Sequence, residues 1–171
     1  NNGTINDYKI KGFVKDTNIN LTNSFDIKDC DLIFILKKDH LEIKDIKFSL
    51  NNLKFFSNKV VAQIYNGKYY SIKGDINNDS TNLTENEINK FPKNFILKSN
   101  IKKIQFNSKN TFSFKLNKKF KIKDFQFEST IGMEKFLILN NFDLKNFFPE
   151  VKNEIMFSNN KVKIKYKKNN F

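Results

Sequence analysis

Apolar and polar residues alternate with a period of two along most of this chain, the mark of strands with one buried face. Tyr8, Ile10, Gly12 and Val14 alternate with Lys9, Lys11 and Lys15, broken only by Phe13. Leu32, Phe34 and Leu36 share one face of a second stretch, and Ile33 and Ile35 occupy its other face, which predicts a strand buried on both sides. Further strands are predicted over residues 41–50, 60–64, 69–76, 101–106, 112–116, 120–127, 136–139 and 162–166. Turns rich in Asn, Asp and Lys are expected between them at Asn51-Asn52, Asn66-Gly67, Asn107 to Asn110 and Asn140-Asn141. Asn66-Gly67 is the strongest hairpin signal, because both residues tolerate the left-handed backbone of a tight turn.

Two places depart from this pattern. Thr84-Glu85-Asn86-Glu87 has capping-box spacing, with Ile88 and Phe91 following before Pro92, and predicts a short helix near 84–91. Leu144, Phe147 and Phe148 sit three and four residues apart, with Pro149 limiting the turn, and suggest a second short helix near 143–153.

The chain also resembles itself. Tyr8 to Gly12 (Tyr-Lys-Ile-Lys-Gly) returns as Tyr70 to Gly74 (Tyr-Ser-Ile-Lys-Gly), and Leu41 to Phe48 is matched by Phe120 to Phe127. In both members of the second pair a Lys-Asp dipeptide shifts the apolar phase by one residue, and a bulge there restores the flanking apolar residues to one face. Phe56-Ser57-Asn58-Lys59-Val60 is echoed from Phe157 to Val162. Three echoes in the same order predict two tandem β-repeats, 1–69 and 70–171, with the helices inserted in the second. The expected fold class is mainly β: a curved antiparallel sheet, an open groove or half-barrel, with one or two short helices.

Composition alters this picture little. The formal charge is +13, which invites a nucleic-acid reading, but all 31 basic residues are Lys. Without Arg there is no planar fork for bidentate phosphate and base contacts, so nucleic acid is not the expected partner. Asn, Ile, Lys and Phe together look like the imprint of an AT-rich genome. No apolar run approaches the roughly 18 residues that span a bilayer, so any membrane anchor is expected outside these 171 residues. The chain starts at Asn1 rather than Met and ends after a basic strand-like run, and we expect a piece of a longer protein.

Candidate chemistry is sparse. Asp29-Cys30-Asp31 and Asp39-His40 are read as turn residues, because strand alternation splits neighbours onto opposite faces and few oxygens converge for a divalent ion. Asp75, Asn77, Asn78, Asp79 and Ser80 form a polar run read as a loop. Sequons occur at Asn2, Asn20, Asn78 and Asn82. No nucleophile elbow, phosphate loop or zinc-ligand spacing is present, so the expectation is a non-enzyme with no cofactor and no metal.

Strands ending in Ile-Lys-Gly, the Leu-x-Ile-Lys-Asp-Ile-x-Phe display at 41–48, Phe-Ser-Asn-Lys-Val at 56–60 and the interruptions at Phe91-Pro92 and Phe147-Phe148-Pro149 resemble the AsmA-like proteins of Gram-negative envelopes, above all the large bridge-like members. The resemblance runs loosely from Tyr8 to Tyr166. It implies a periplasmic segment, anchored to the inner membrane from outside these residues, whose strands form an apolar groove for phospholipid acyl chains. The family has no catalytic residues, and its working surface is a lining. Transferred to this chain, that lining is Ile10, Val14, Phe34, Leu36, Leu41, Ile43, Phe48, Val60, Ile64, Ile72, Phe112, Phe114, Phe120, Ile122, Phe125 and Phe127. Read without the family, the same strands fit a structural or adhesive β-repeat with an ordinary sandwich core, and the charge fits a basic nucleic-acid binder.

Overall fold

A computed structural model describes residues 7–22, 25–50, 53–65, 68–89, 101–139, 147–150 and 152–170. Eight long strands follow one another: β1 (Lys9–Thr22), β2 (Phe25–Lys37), β3 (His40–Leu50), β4 (Leu53–Tyr65), β5 (Tyr69–Thr84), β6 (Ile101–Asn117), β7 (Ile122–Leu139) and β8 (Glu154–Asn170). They pair in sequence order into one antiparallel sheet, β1-β2-β3-β4-β5-β6-β7-β8, in which β1 and β8 are not paired with each other among the described residues. One helical turn, α1 (Glu85–Ile88), follows β5. The Glu87 carboxylate accepts from both the backbone N–H and the hydroxyl of Thr84, at 2.8 Å each, which is the reach-back that the Thr-x-x-Glu spacing calls for.

The strands are long because polar residues continue them where the sequence suggests turns. Asn107 to Asn110 lies inside β6 and joins the two predicted strands there into one. Asn110 reaches both neighbours: its amide donates to the Ile76 carbonyl at 2.6 Å, and its side-chain oxygen accepts from the Ser129 hydroxyl at 2.7 Å. Ser129 in turn sits within β7, which merges the strands expected at 120–127 and 136–139. The Asp75 to Ser80 run is strand β5, not a loop, and Asp29 to Asp31 is part of β2, not a turn. Asn51-Asn52, Asn66-Gly67, Phe91-Pro92 and Asn140-Asn141 lie outside the described residues, although Leu50 pairs with Leu53 and Tyr65 with Tyr69 as two hairpins require. Residues 143–146 and 151 of the second predicted helix lie outside them too, and the rest, 147–150 and 152–153, is turn, bend and coil rather than helix.

β1 to β4 each carry an extra residue relative to a neighbour. Val14 pairs with Leu32 and Thr17 with Cys30, so β1 uses three residues where β2 uses two; β2 then does the same between Cys30 and Ile27. Ile33 pairs with Lys44 but Asp31 with Lys47, which places an extra residue in β3. Val60 pairs with Gly74 but Phe56 with Asn77, which places one in β4. In the first three strands the left-handed residue is an Asp that follows a Lys: Asp16, Asp29 and Asp45, with φ of 49, 53 and 50°. Asp124 in β7 and Asn159 in β8 repeat the conformation at 52 and 56°. Asp and Asn enter this region most readily among residues with a side chain. The amide that a bulge turns out of the ladder finds a side chain next door. Asp16 N–H donates to Asp31 Oδ1 at 2.9 Å, and Asp29 N–H donates to Asn18 Oδ1 at 3.2 Å.

Two compact units share the strands. One comprises Asn1–Asn78, Lys109–Thr130 and Lys163–Phe171, and the other Asp79–Ser108 and Ile131–Val162. The division cuts across β5 to β8, and residue 70 falls within the first unit. In the second unit Ile88 is buried, Lys102 pairs with Glu85 at 2.5 Å, and Gln105 donates to Glu134 at 2.6 Å.

Candidate functional site

Cross-strand partners point to the same side of a sheet, and so do residues two apart along a strand. Following the register of β1 to β5 through the bulges therefore fixes which side chains share a face. Ile10, Gly12 and Val14 of β1 lie opposite Leu36, Phe34 and Leu32 of β2. Phe34 and Leu36 meet Ile43 and Leu41 of β3, and these meet Val60 and Ala62 of β4. Val60, Ala62 and Ile64 then pair with Gly74, Ile72 and Tyr70 of β5. Beyond the bulges the phase is restored. Lys44 and Lys47 fall on one side, so Ile46, Phe48 and Leu50 join Leu41 and Ile43 on the other, opposite Ser57, Phe55 and Leu53. Phe48 and Phe55 stack with ring centroids 5.4 Å apart.

Aromatic contacts carry the face onward within the first unit. A Cβ on Gly74 would meet Phe112 Cζ at 3.1 Å, so this ring sits over the glycine. Phe112 lies 6.1 Å from Phe114, Phe114 lies 6.4 Å from Phe125, and Phe125 lies 6.1 Å from Tyr166 of β8, centroid to centroid. Gly12 plays the same part at the other end, since a Cβ there would overlap the Phe34 ring. The repeated Ile-Lys-Gly motif thus marks the two places where a Phe ring covers a bare backbone.

Of the sixteen residues proposed as a lining, Ile10, Val14, Phe34, Leu36, Leu41, Ile43, Phe48, Val60, Ile64 and Ile72 share this face by register. Phe112, Phe114 and Phe125 join it through their ring contacts, and Phe127 lies two residues beyond Phe125. Ile122 precedes the left-handed Asp124 at the spacing that Ile43 keeps from Asp45. Phe120 does not belong to a strand. It occupies the β6–β7 turn with φ 57° and 82 % exposure, because the Asn117 side-chain oxygen accepts from the Lys119 and Lys121 amides at 2.9 Å and closes the turn ahead of β7. Residues absent from the proposed lining also share the face: Cys30, Leu32, Leu50, Leu53 and Phe55. Cys30 continues the alternation of Leu32, Phe34 and Leu36, a signal that the turn reading of Asp29 to Asp31 hides.

The opposite face is charged. Lys11, Ile35, Glu42, Val61 and Lys73 form one row across it, and Phe13, Ile33, Lys44 and Lys59 form the next. Ile33 and Ile35 are half-buried there, as Leu32, Phe34 and Leu36 are on the other face, so β2 is covered in part on both sides and fully on neither. Glu42 accepts from Lys59 at 2.5 Å and Lys44 at 3.1 Å, with His40 Nε2 at 3.9 Å. The hydrogen bond from Lys59, then that from Lys44, lowers the Glu42 pKa from its ordinary 4.5 to about 2. A carboxylate held low in the folded state stabilises fully above its unfolded pKa, and the contribution disappears as pH falls from about 4.5 towards about 2. The urea midpoint should therefore drop over that window, and by less in Glu42→Gln; equal slopes for both proteins would show that these ion pairs contribute nothing.

A concavity of 730 Å³ is lined by Lys59, Gln63, Lys73, Thr111 and Gln126 together with Val61, Gly74 and Phe112. Asn78, a sequon residue, is buried at 3 % exposure and donates to the Lys54 carbonyl at 2.7 Å, so its amide is unavailable for glycosylation in the fold. Among the described residues no cluster of His, Cys, Asp and Glu has the grouping a metal ion requires.

Compared with protein-family models, curated proteins and solved structures, the chain finds no match in any of the three.

Proposed function

We propose that this chain is a non-catalytic, periplasmic segment of an AsmA-like envelope protein and that the apolar face of its sheet carries phospholipid acyl chains. The observation that supports this reading is the continuity of that face from Ile10 on β1 to Tyr166 on β8, unbroken across the bulges. Its side chains are mostly half-buried, and among the described residues only Cys30, Leu53 and Ile88 are apolar and buried. A sandwich would bury such a face under a second sheet. Acyl chains satisfy it differently. Each methylene leaving water contributes about 0.8 kcal/mol, so a lipid tail is held by contact area without any specific polar group. The lysines of the other face remain in water and lie within reach of anionic head groups at the sheet edges. An inner-membrane anchor elsewhere in the protein would place the segment in the periplasm.

Lipid extraction of the purified full-length protein followed by mass spectrometry tests this. Phospholipid should copurify, and Ile43→Glu, which places a charge in the middle of the apolar face, should reduce it by about tenfold, a loss of ~1.4 kcal/mol. Lys47→Glu, on the opposite face, should leave the yield of lipid unchanged. Lipid-free protein, or equal loading of the two variants, would return the chain to the reading as a structural β-repeat.

A further inference from the structure

We infer that the end of the first unit formed by the β2–β3, β4–β5 and β6–β7 turns docks on an anionic lipid bilayer, with the Phe120 ring inserted among the lipids. Antiparallel strands paired in sequence order bring alternate turns to one end, and these three belong to the same compact unit. Phe120, in the third turn, is at 82 % the most exposed large apolar residue among those described. Its φ of 57° is left-handed, a conformation that is rare and costly for a bulky side chain. The turn that presents it is fixed. Phe120 N–H donates to the Asn117 carbonyl at 2.9 Å, and Asn117 N–H donates to the Lys121 carbonyl at 3.1 Å. An aromatic ring held in water by a strained, hydrogen-bonded backbone points to a surface that takes the ring up.

The surroundings of Phe120 say which surface that is. Lys118, Lys119 and Lys121 flank it, Lys37 and Lys38 enter the β2–β3 turn, and Lys68 completes the β4–β5 connection, all of them exposed. Among the described residues none of these lysines is paired with a carboxylate. The connections at the other end of β1 to β4, Asn23-Ser24 and Asn51-Asn52, carry no charge. All five tyrosines also fall at the lysine-rich end. Tyr8 precedes β1, Tyr65 pairs with Tyr69 where β4 gives way to β5, Tyr70 follows, and Tyr166 lies against Phe125 near the start of β7. Tyrosine settles at a membrane–water boundary because its ring is apolar and its hydroxyl is hydrated. Lysine at that level is drawn to anionic head groups, and a phenylalanine ahead of it reaches the acyl region. An acidic protein partner would need a pocket for the ring, whereas a bilayer needs none. The inference does not rest on the carriage of acyl chains: vesicle binding reads the turns, copurified lipid reads the apolar face, and either can fail alone.

Cosedimentation of the 171-residue chain with vesicles tests this. Vesicles of phosphatidylcholine with about a third phosphatidylglycerol should bind it about a hundredfold more tightly than phosphatidylcholine alone. Lys118→Gln with Lys121→Gln should weaken that binding by about thirtyfold. Phe120→Asn, which suits left-handed backbone, should keep or raise the urea midpoint and still bind about tenfold more weakly, a combination that a purely structural role for the ring would not give. The chain has no tryptophan, so Phe120→Trp supplies a single reporter whose emission should be quenched by lipids brominated on their acyl chains. Undiminished binding by Phe120→Asn, or unquenched emission from bound Phe120→Trp, would reduce the effect to charge attraction and overturn the proposal. Equal binding to the two kinds of vesicle would do the same.

Discussion

Deleting Asp45 should prevent the native sheet from forming, whereas Asp45→Gly should fold with nearly unchanged stability. The left-handed Asp45 is the extra residue that lets Lys44 and Lys47 share the charged face while Ile46, Phe48 and Leu50 join Leu41 and Ile43 on the apolar one. Without it the alternation runs on uninterrupted. Every side chain from position 46 to the end of β3 then changes face, because the side-chain period of a strand is two. Ile46, Phe48 and Leu50 would enter the charged face, and Lys47 would face Phe55 and its neighbours. At roughly 1 kcal/mol for each half-buried apolar side chain returned to water, together with the Phe48–Phe55 stack and a lysine set among apolar groups, the loss is about 5 kcal/mol. That is comparable to the whole stability of an ordinary domain. Glycine at 45 keeps the residue count and accepts φ of 50° freely, while Asp45→Val, β-branched in left-handed backbone, should lie between the two at about 2 kcal/mol. Circular dichroism and urea unfolding separate the three variants. A deletion variant that unfolds at the wild-type midpoint would show that β3 tolerates either phase.

That single residue also shows what the sequence could and could not reveal. Lys44-Asp45 and Lys123-Asp124 are legible as bulges because Ile43, Ile46, Ile122 and Phe125 flank them, so the slip in apolar phase is visible. Lys15-Asp16 and Lys28-Asp29 adopt the same backbone, but their downstream neighbours, Thr17, Asn18, Cys30 and Asp31, carry too little apolar contrast to register a phase. Asn107 to Asn110 reads as a turn for a related reason. The groups that satisfy Asn110, the Ile76 carbonyl and the Ser129 hydroxyl, are distant in sequence, so local composition indicates a break where the sheet has a cross-strand clasp. Phe120 errs the other way. It looks like the start of an apolar strand, and the short-range hydrogen bonds of Asn117 pull it into the turn. Membership of the apolar face follows from alternation wherever strands are regular, which is why ten proposed positions on β1 to β5 share it.

Gly74→Val should be the most damaging point substitution on that face. An ideal Cβ at position 74 would lie 2.8 Å from Val60 Cγ2, 3.0 Å from the Lys59 carbonyl oxygen and 3.1 Å from Phe112 Cζ. The first and third neighbours are side chains that can move, but the second is backbone within the β4 bulge, held by pairing with Lys44 of β3, so the β4 backbone itself must shift. Overpacking of this kind costs about 1–3 kcal/mol. Displacing Phe112 adds a second effect, since this ring connects the register-defined face of β1 to β5 to the row through Phe114 and Phe125 to Tyr166. The midpoint of thermal unfolding should therefore fall by several degrees, as roughly 2 kcal/mol does in a chain of this size. The double variant Gly74→Val with Phe112→Ala distinguishes the two contributions. Removing the ring relieves its own clash and leaves that with the Lys59 carbonyl, so stability should recover only in part. Copurified lipid should stay low in both variants, because neither restores a continuous apolar row. Full recovery of stability in the double variant would locate the whole clash in Phe112 and show that the β4–β5 backbone accommodates a side chain at position 74.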